Sequence, residues 1–233
     1  MPTSHLNKSL QKWPGLTPIR RPKTTAEEVE DRLIIAIARG DRHPGDRLTE
    51  AEISAALEIS RVPAREAMQK LQLRGILVEN GQRGLRVADY GPSFIADLVE
   101  LRIAIERILF QKVMRPAHDR APLIAELEVI LKQMNAMSDV GDPVALATID
   151  LEFHRAIAVS SDNKLTLQIW EGLAQHMLIV FCRDWLQAAD RTGEVELHRK
   201  LVAFIRDGDV VDLDLVLRDH FTPPHVRQAA KLS

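Results

Sequence analysis

The sequence predicts a mainly α protein in two parts: three helices and a β-hairpin over residues 26–90, then an all-α bundle of about six helices over residues 91–233. Three observations carry this expectation. Two capping-box strings precede short amphipathic runs, two β-like segments flank a glycine-rich turn, and beyond Tyr90-Gly91-Pro92 the apolar residues recur only at helical spacing. With 233 residues and 45% hydrophobic content, the chain has enough apolar side chains for a buried core.

The N-terminal elements follow in order. Thr25-Ala26-Glu27-Glu28 reads as a capping box ahead of Val29, Leu33, Ile34 and Ile37, which share one helical face. That helix is expected to reach Arg39, where Gly40 stops it, and His43-Pro44-Gly45-Asp46 then turns the chain. Thr49-Glu50-Ala51-Glu52 is a second capping box and opens a helix of about two turns with Ile53, Ala56 and Leu57 inward. Ser60 is placed to cap a third helix, Pro63 is tolerated in its first turn, and Gly75 ends it. Ala67, Met68 and Leu71 form its buried face, which leaves Arg61, Arg65, Gln69 and Gln72 to point outward. Residues 76–79 and 85–88, joined by Asn80-Gly81-Gln82-Arg83-Gly84, make a hairpin with a basic tip.

Three helices followed by such a hairpin is the order of a winged helix-turn-helix, whose third helix lies in the major groove of double-stranded DNA while the wing reaches the adjacent groove or backbone. Arg61 and Arg65 stand one turn apart on a shared face, and arginine suits both guanine O6 and N7 and phosphate. Either can instead be a solvated charge, Arg65 pairing with Glu66 or another neighbour. In the second part, helices are expected at about 93–115, 121–137, 143–160, 164–190, 194–207 and 209–226.

Charge is divided unevenly. The net charge of −2 resolves into +3 over residues 1–90 and −5 over 91–233. Residues 1–25 hold Lys8, Lys12, Arg20, Arg21 and Lys23 and no acid, which reads as a basic flexible arm, lying along phosphates or simply solvated. Apolar runs such as Met177–Cys182 are short of the roughly 18 residues of a membrane span, and charges and Pro14 break up the first residues, so no membrane association and a cytoplasmic location are expected. The single cysteine, Cys182, cannot form an internal disulfide.

Asp150 and His154, at i and i+4, share a helical face, and His198 and His220 sit among apolar residues on the last two expected helices. Packing these helices together can assemble one site from an aspartate and three histidines. Nitrogen and oxygen donors without thiolate suit a divalent metal ion such as Zn, Ni, Mn or Fe. Any one of these histidines taken singly also reads as a core or surface residue. Four protein ligands on a six-coordinate ion leave two positions for water or a small acid. His176, on the longest bundle helix, can line the same cavity.

The runs Pro44–Ile53, Ile59–Met68 and Leu71–Leu77 resemble the DNA-binding domain of the GntR family of bacterial transcriptional regulators, and the resemblance spans residues 26–88. It implies DNA contacts by Ser60, Arg61, Pro63, Arg65 and the wing residue Gly81, with Arg83 beside it on the basic tip, while Ala51 stands where some members carry a contacting arginine. Residues 93–225 resemble the all-helical FCD ligand-binding domain of the FadR-type branch, whose metal-binding members carry a set matching Asp150, His154, His198 and His220. Regulators of this kind that bind fatty acyl thioesters lack that set. Arg102 matches a family position facing the cavity, where a guanidinium would clamp a carboxylate, although it can also pair with Glu106 at i+4. Asn163 follows a helix end, as a cap or as an effector contact.

These expectations describe a repressor: a homodimer on a palindromic double-stranded operator, responsive to a small carboxylate effector. A metal-dependent hydrolytic enzyme is a second reading, but beyond the proposed ligands the nearest further base is Glu152, on another helix face. A non-specific DNA binder is a third.

Overall fold

A computed structural model describes residues 23–79, 81, 84–138, 141–187 and 192–221, the side chains of 184–187 and 192 excepted. Thus the basic arm, apart from its last three residues, and Arg83 lie outside the described residues. Nine α-helices and one small antiparallel sheet are present among the described residues.

The first helix, α1 (Thr25–Arg39), starts one residue earlier than expected. Its cap is Thr24, whose hydroxyl accepts the Glu27 N–H at 3.2 Å while the Glu27 carboxylate accepts the Thr24 N–H at 2.7 Å. Adjacent threonines and adjacent glutamates make both registers chemically possible, and the observed one lengthens the helix. After the Pro44-Gly45 turn comes a strand that sequence periodicity does not reveal, β1 (Arg47–Leu48). Two residues carry no period to detect. The Thr49 capping box then opens α2 (Glu50–Ala56) as expected. Ser60 precedes α3 (Arg61–Leu73) at the cap position, yet its hydroxyl makes no capping bond. The hairpin strands are β2 (Leu77–Glu79) and β3 (Leu85–Val87), and β3 lies between β1 and β2 in the sheet. Leu48 faces Leu85 across β1–β3, and Leu77 faces Val87 across β2–β3.

The bundle comprises α4 (Pro92–Val113), α5 (Ala121–Ser138), α6 (Pro143–Ser160), α7 (Lys164–Gln187), α8 (Thr192–Asp207) and α9 (Leu213–Phe221). The final expected helix, 209–226, is interrupted: Asp209 caps a 3-10 turn (Val210–Asp212) by accepting the Val211 N–H at 3.0 Å, and α9 begins only afterwards. Its expected end, beyond residue 221, lies outside the described residues.

Two apolar clusters hold these elements. One is confined to the bundle, around Phe110, Leu127, Phe153, Ile157 and Ile205. The other passes from Val29, Leu33, Ile37 and Leu71 in the winged region through Tyr90 to Leu98, Trp170 and Met177 in the bundle. The helix that makes this continuity possible is α7, which packs against α1 on one side and α4 and α6 on others. Its Lys164–Arg183 stretch has a mean hydropathy of 1.2, long and apolar enough by length and composition to cross a membrane, contrary to the sequence expectation. It packs against three helices, and Leu165 and Ile169 near its start are exposed.

Candidate DNA interface and metal centre

The candidate DNA face is built on α3. Ala64, Ala67, Met68 and Leu71 are buried against α1, α2 and β2, so the helix presents Arg61, Arg65 and Gln69 to solvent. Pro63 lies half-buried in the first turn of α3. With Glu50 and Ala51 of α2, Gly81 and Gly84, the residues Arg61, Arg65 and Gln69 line one concavity of about 910 Å³. Gly81, at φ +61°, and Gly84, at φ +99°, take backbone angles suited to glycine at the wing turn. Two polar side chains of α3 that line this concavity are gripped by carboxylates from neighbouring elements. Arg65 donates from Nε to Glu50 Oε1 at 2.8 Å and from Nη2 to Glu50 Oε2 at 2.9 Å, and Gln72 Nε2 donates to Glu79 Oε1 at 2.9 Å. The bond to Arg65 holds the Glu50 carboxyl below its ordinary pKa. Arg65 is therefore engaged, and by a residue of α2 rather than by Glu66.

The second site lies where α4, α6, α8 and α9 meet. Asp150 and His154 of α6, His198 of α8 and His220 of α9 are all buried. One ligand nitrogen from each histidine lies within 4.8 Å of the others, close to the span of about 4.2 Å available across an ion bound at about 2.1 Å. His154 Nε2 and His220 Nε2 approach to 3.1 Å, and His198 Nε2 lies 2.9 Å from Asp150 Oδ1. That last contact is short, but the oxygen lies off the hydrogen-bonding direction of the ring nitrogen. Three buried imidazoles converge beside a carboxylate, with His198 Nε2 left without a hydrogen-bond partner, and that donor set fits a divalent metal.

The surrounding groups favour the same tautomers. His198 Nδ1 donates to the Glu194 carbonyl oxygen at 2.7 Å, which leaves Nε2 as the lone-pair nitrogen facing the centre. His154 Nδ1 stands 3.2 Å from Glu106 Oε1 without a formed hydrogen bond, and the charge of the carboxylate favours a proton on that nitrogen and so a lone pair on Nε2. Glu106, fully buried on α4, also accepts the Trp170 indole N–H at 2.9 Å and stands 3.6 Å from Arg102 Nε. Burial, with Arg102 nearby, holds His154 below its ordinary pKa despite the opposing pull of Glu106. Burial alone would raise the Asp150 carboxyl; His198 and Arg102 outweigh it and keep the group well below the usual carboxylate range. Asp150 is thus a carboxylate and His154 a neutral imidazole, each in ligating form.

Arg102 is buried, so the surface-pair reading of its partnership with Glu106 is replaced by a buried one. Its guanidinium also lies 3.5 Å from Asp150 Oδ2 and over the rings of Phe221, at 4.1 Å, and Phe181, at 4.8 Å. Asn163 has the capping role: its side-chain oxygen accepts the Thr166 N–H at 3.2 Å at the start of α7. Glu152 is exposed and away from the cluster. Glu106 is the residue that sequence reasoning missed; its only sequence signal was the i+4 spacing from Arg102, which an ordinary surface pair shares.

His176 does not line this cavity. It sits where α7 meets the winged region, donating from Nε2 to the Arg74 carbonyl oxygen at 2.8 Å, just beyond the end of α3, and accepting the Tyr90 hydroxyl at Nδ1 at 3.1 Å. Arg74 itself donates to Gln175 of α7 and Glu30 of α1, each at 2.9 Å.

An exposed cationic helix face and a buried cluster of three histidines and an aspartate agree with the comparison with known proteins. Residues 25–87 match the family described as bacterial regulatory proteins, gntR family, and residues 97–222 match the FCD domain. The chain is 27% identical over 188 residues to a probable D-xylose utilization operon transcriptional repressor from Paenarthrobacter nicotinovorans, covering 80% of each chain. It is 28% identical over 155 residues to the Nta operon transcriptional regulator of Aminobacter aminovorans, covering 66% of this chain and 72% of that one. The solved structure of E. coli McbR/YncC superposes with a TM-score of 0.71 at 17% identity, covering 90% of this chain and 99% of the other, a likeness of fold. The chain accordingly belongs to the GntR family of bacterial transcriptional regulators, in the branch carrying an FCD domain, and is a DNA-binding regulator rather than an enzyme.

Proposed function

We propose that the protein is a metal-dependent, ligand-responsive repressor: a homodimer that binds a palindromic operator and whose affinity for it changes when a small carboxylate occupies the bundle. The observation that carries this reading is the convergence of His154, His198 and His220 beside Asp150, with tautomers set by Glu106 and the Glu194 carbonyl. Held by these four residues, a divalent ion supplies positive charge and open coordination positions for a carboxylate oxygen. Arg102, buried next to Asp150, offers the second anchor for such an acid. Ser60, Arg61, Pro63, Arg65, Gly81 and Arg83 are the DNA-contacting set on this reading, of which Arg61, Arg65 and Gly81 line the concavity, and Asn163 supports the bundle by fixing the start of α7. Two recognition helices about one DNA turn apart require two copies of the chain, and the protein acts where chromosomal DNA is, in the cytoplasm.

Elemental analysis of purified protein against its His154→Ala variant tests the reading. Stoichiometric metal in the wild type and little in the variant is expected; equal content in both overturns it. Thermal shifts across a panel of small carboxylic acids on metal-loaded protein, lost in Arg102→Lys, identify the effector class.

A further inference from the structure

The bidentate pair between Glu50 and Arg65 raises a question of charge. An acid at the first position of α2, on the face turned toward DNA, repels phosphate; its helix gains little from it in particular, because Glu52 already closes the capping box. As a surface ion pair it contributes little stability, the Arg65 side chain being 57% exposed. What it does accomplish is geometric. A guanidinium has five N–H donors in one plane. Glu50 takes Nε–H and one Nη2–H along the side of that plane. The end of the plane, with one N–H from each of Nη1 and Nη2, stays available. That end fork matches the two acceptors of guanine, O6 and N7. Without Glu50 the side chain samples many rotamers; with it, the plane and the direction of the fork are set before DNA arrives.

We propose that Glu50 is a specificity-determining positioning residue: it orients Arg65 so that the end of its guanidinium reads one guanine in the major groove. The inference rests on the reading that Arg65 enters that groove. Docking against DNA removes water from the pair and strengthens it, so the orienting effect is greatest in the complex. Glu50 also disfavours phosphate contact by Arg65, turning a cation of general use into a base reader.

The experiment is binding-site selection from randomised duplexes by full-length wild type, Glu50→Ala, Glu50→Gln and Arg65→Ala, followed by measured affinity at fixed salt for the selected site, its single-base variants and random duplex. Arg65→Ala is expected to lose preference at one G·C pair. Glu50→Ala is expected to lose preference at that same pair by about tenfold, with affinity for random duplex unchanged or higher, and Glu50→Gln to fall between. A purely structural role for Glu50 lowers affinity for all duplexes alike and leaves the base profile unchanged; that result overturns the proposal. If Arg65→Ala itself leaves the profile unchanged, the docking of Arg65 is wrong and the proposal falls with it. Matching melting curves of the variants exclude misfolding as the source of a change.

Discussion

Glu106→Gln isolates the outer support of the metal centre. One oxygen of Glu106 faces three groups, the Trp170 indole at 2.9 Å, His154 Nδ1 at 3.2 Å and Arg102 Nε at 3.6 Å. Truncation to alanine leaves the buried indole N–H unsatisfied, about 1–3 kcal/mol, and strips Arg102 of one buried counter-charge, about 3–5 kcal/mol. The two costs share atoms and do not add fully, but together they approach the whole stability of a typical domain, about 5–15 kcal/mol. Glutamine is therefore the usable variant. Its carbonyl still accepts from Trp170, its volume is unchanged, and only the charge facing His154 and Arg102 is lost. Losing such an outer partner weakens metal binding by about 10–100-fold. Competitive titration of metal-free protein with Zn²⁺ or Mn²⁺ against a chromophoric chelator measures this, with urea denaturation of the metal-free forms as the folding control. Wild-type affinity in folded Glu106→Gln would refute the claim that Glu106 orients His154.

Two further outcomes are expected. Gly84 stands at φ +99°, and a Cβ there would lie 3.1 Å from both the Leu48 carbonyl oxygen and Arg47 Nε. Gly84→Ala should cost about 1–3 kcal/mol, seen as a lower denaturation midpoint, and a neutral result would show that the β1–β3 edge yields freely. Burial lowers His176 below its ordinary value of 6.5, the Arg74 carbonyl opposing. A depressed folded value means that the unfolded chain takes up the proton first, so this contribution is intact above pH 6.5 and declines as pH falls below it. The uncharged His176→Gln should show a flatter stability profile between about pH 7 and 5; parallel profiles for the two proteins would contradict it.

Much of the architecture was legible because helices announce themselves locally. The α5 and α6 ends, at Ala121 and Ser160, agree with the spacing of apolar residues and the flanking Pro143 and Asp162. β1 was not legible, since its partner β3 lies some 40 residues away and the pairing, not the sequence of Arg47-Leu48, makes it a strand. At the metal centre, the i, i+4 spacing of Asp150 and His154 is local, and the closing histidines were recognisable through family resemblance. Glu106 was not: an Arg and a Glu four apart read alike on a wet surface and in a core, and only the folded chain shows Trp170 closing over them. For the same reason the sequence offers the cavity as one place for His176, when the neighbours that hold it are the end of α3 and Tyr90.

That fastening of α3 has a mechanical meaning. The helix is 13 residues long, about 20 Å at 1.5 Å per residue, with Arg61 at its free tip and its far end tied to α7 through Arg74. Packed along its length on α1, α2 and β2, it can tilt only with the winged region, about a fulcrum in the bundle. A tilt of about 5° at the fulcrum carries the tip of such a 20 Å rod about 1.7 Å, more than a bidentate contact to a base tolerates. Were α7 to shift on ligand binding, a displacement too small to disturb its packing would move that tip farther than a base contact tolerates.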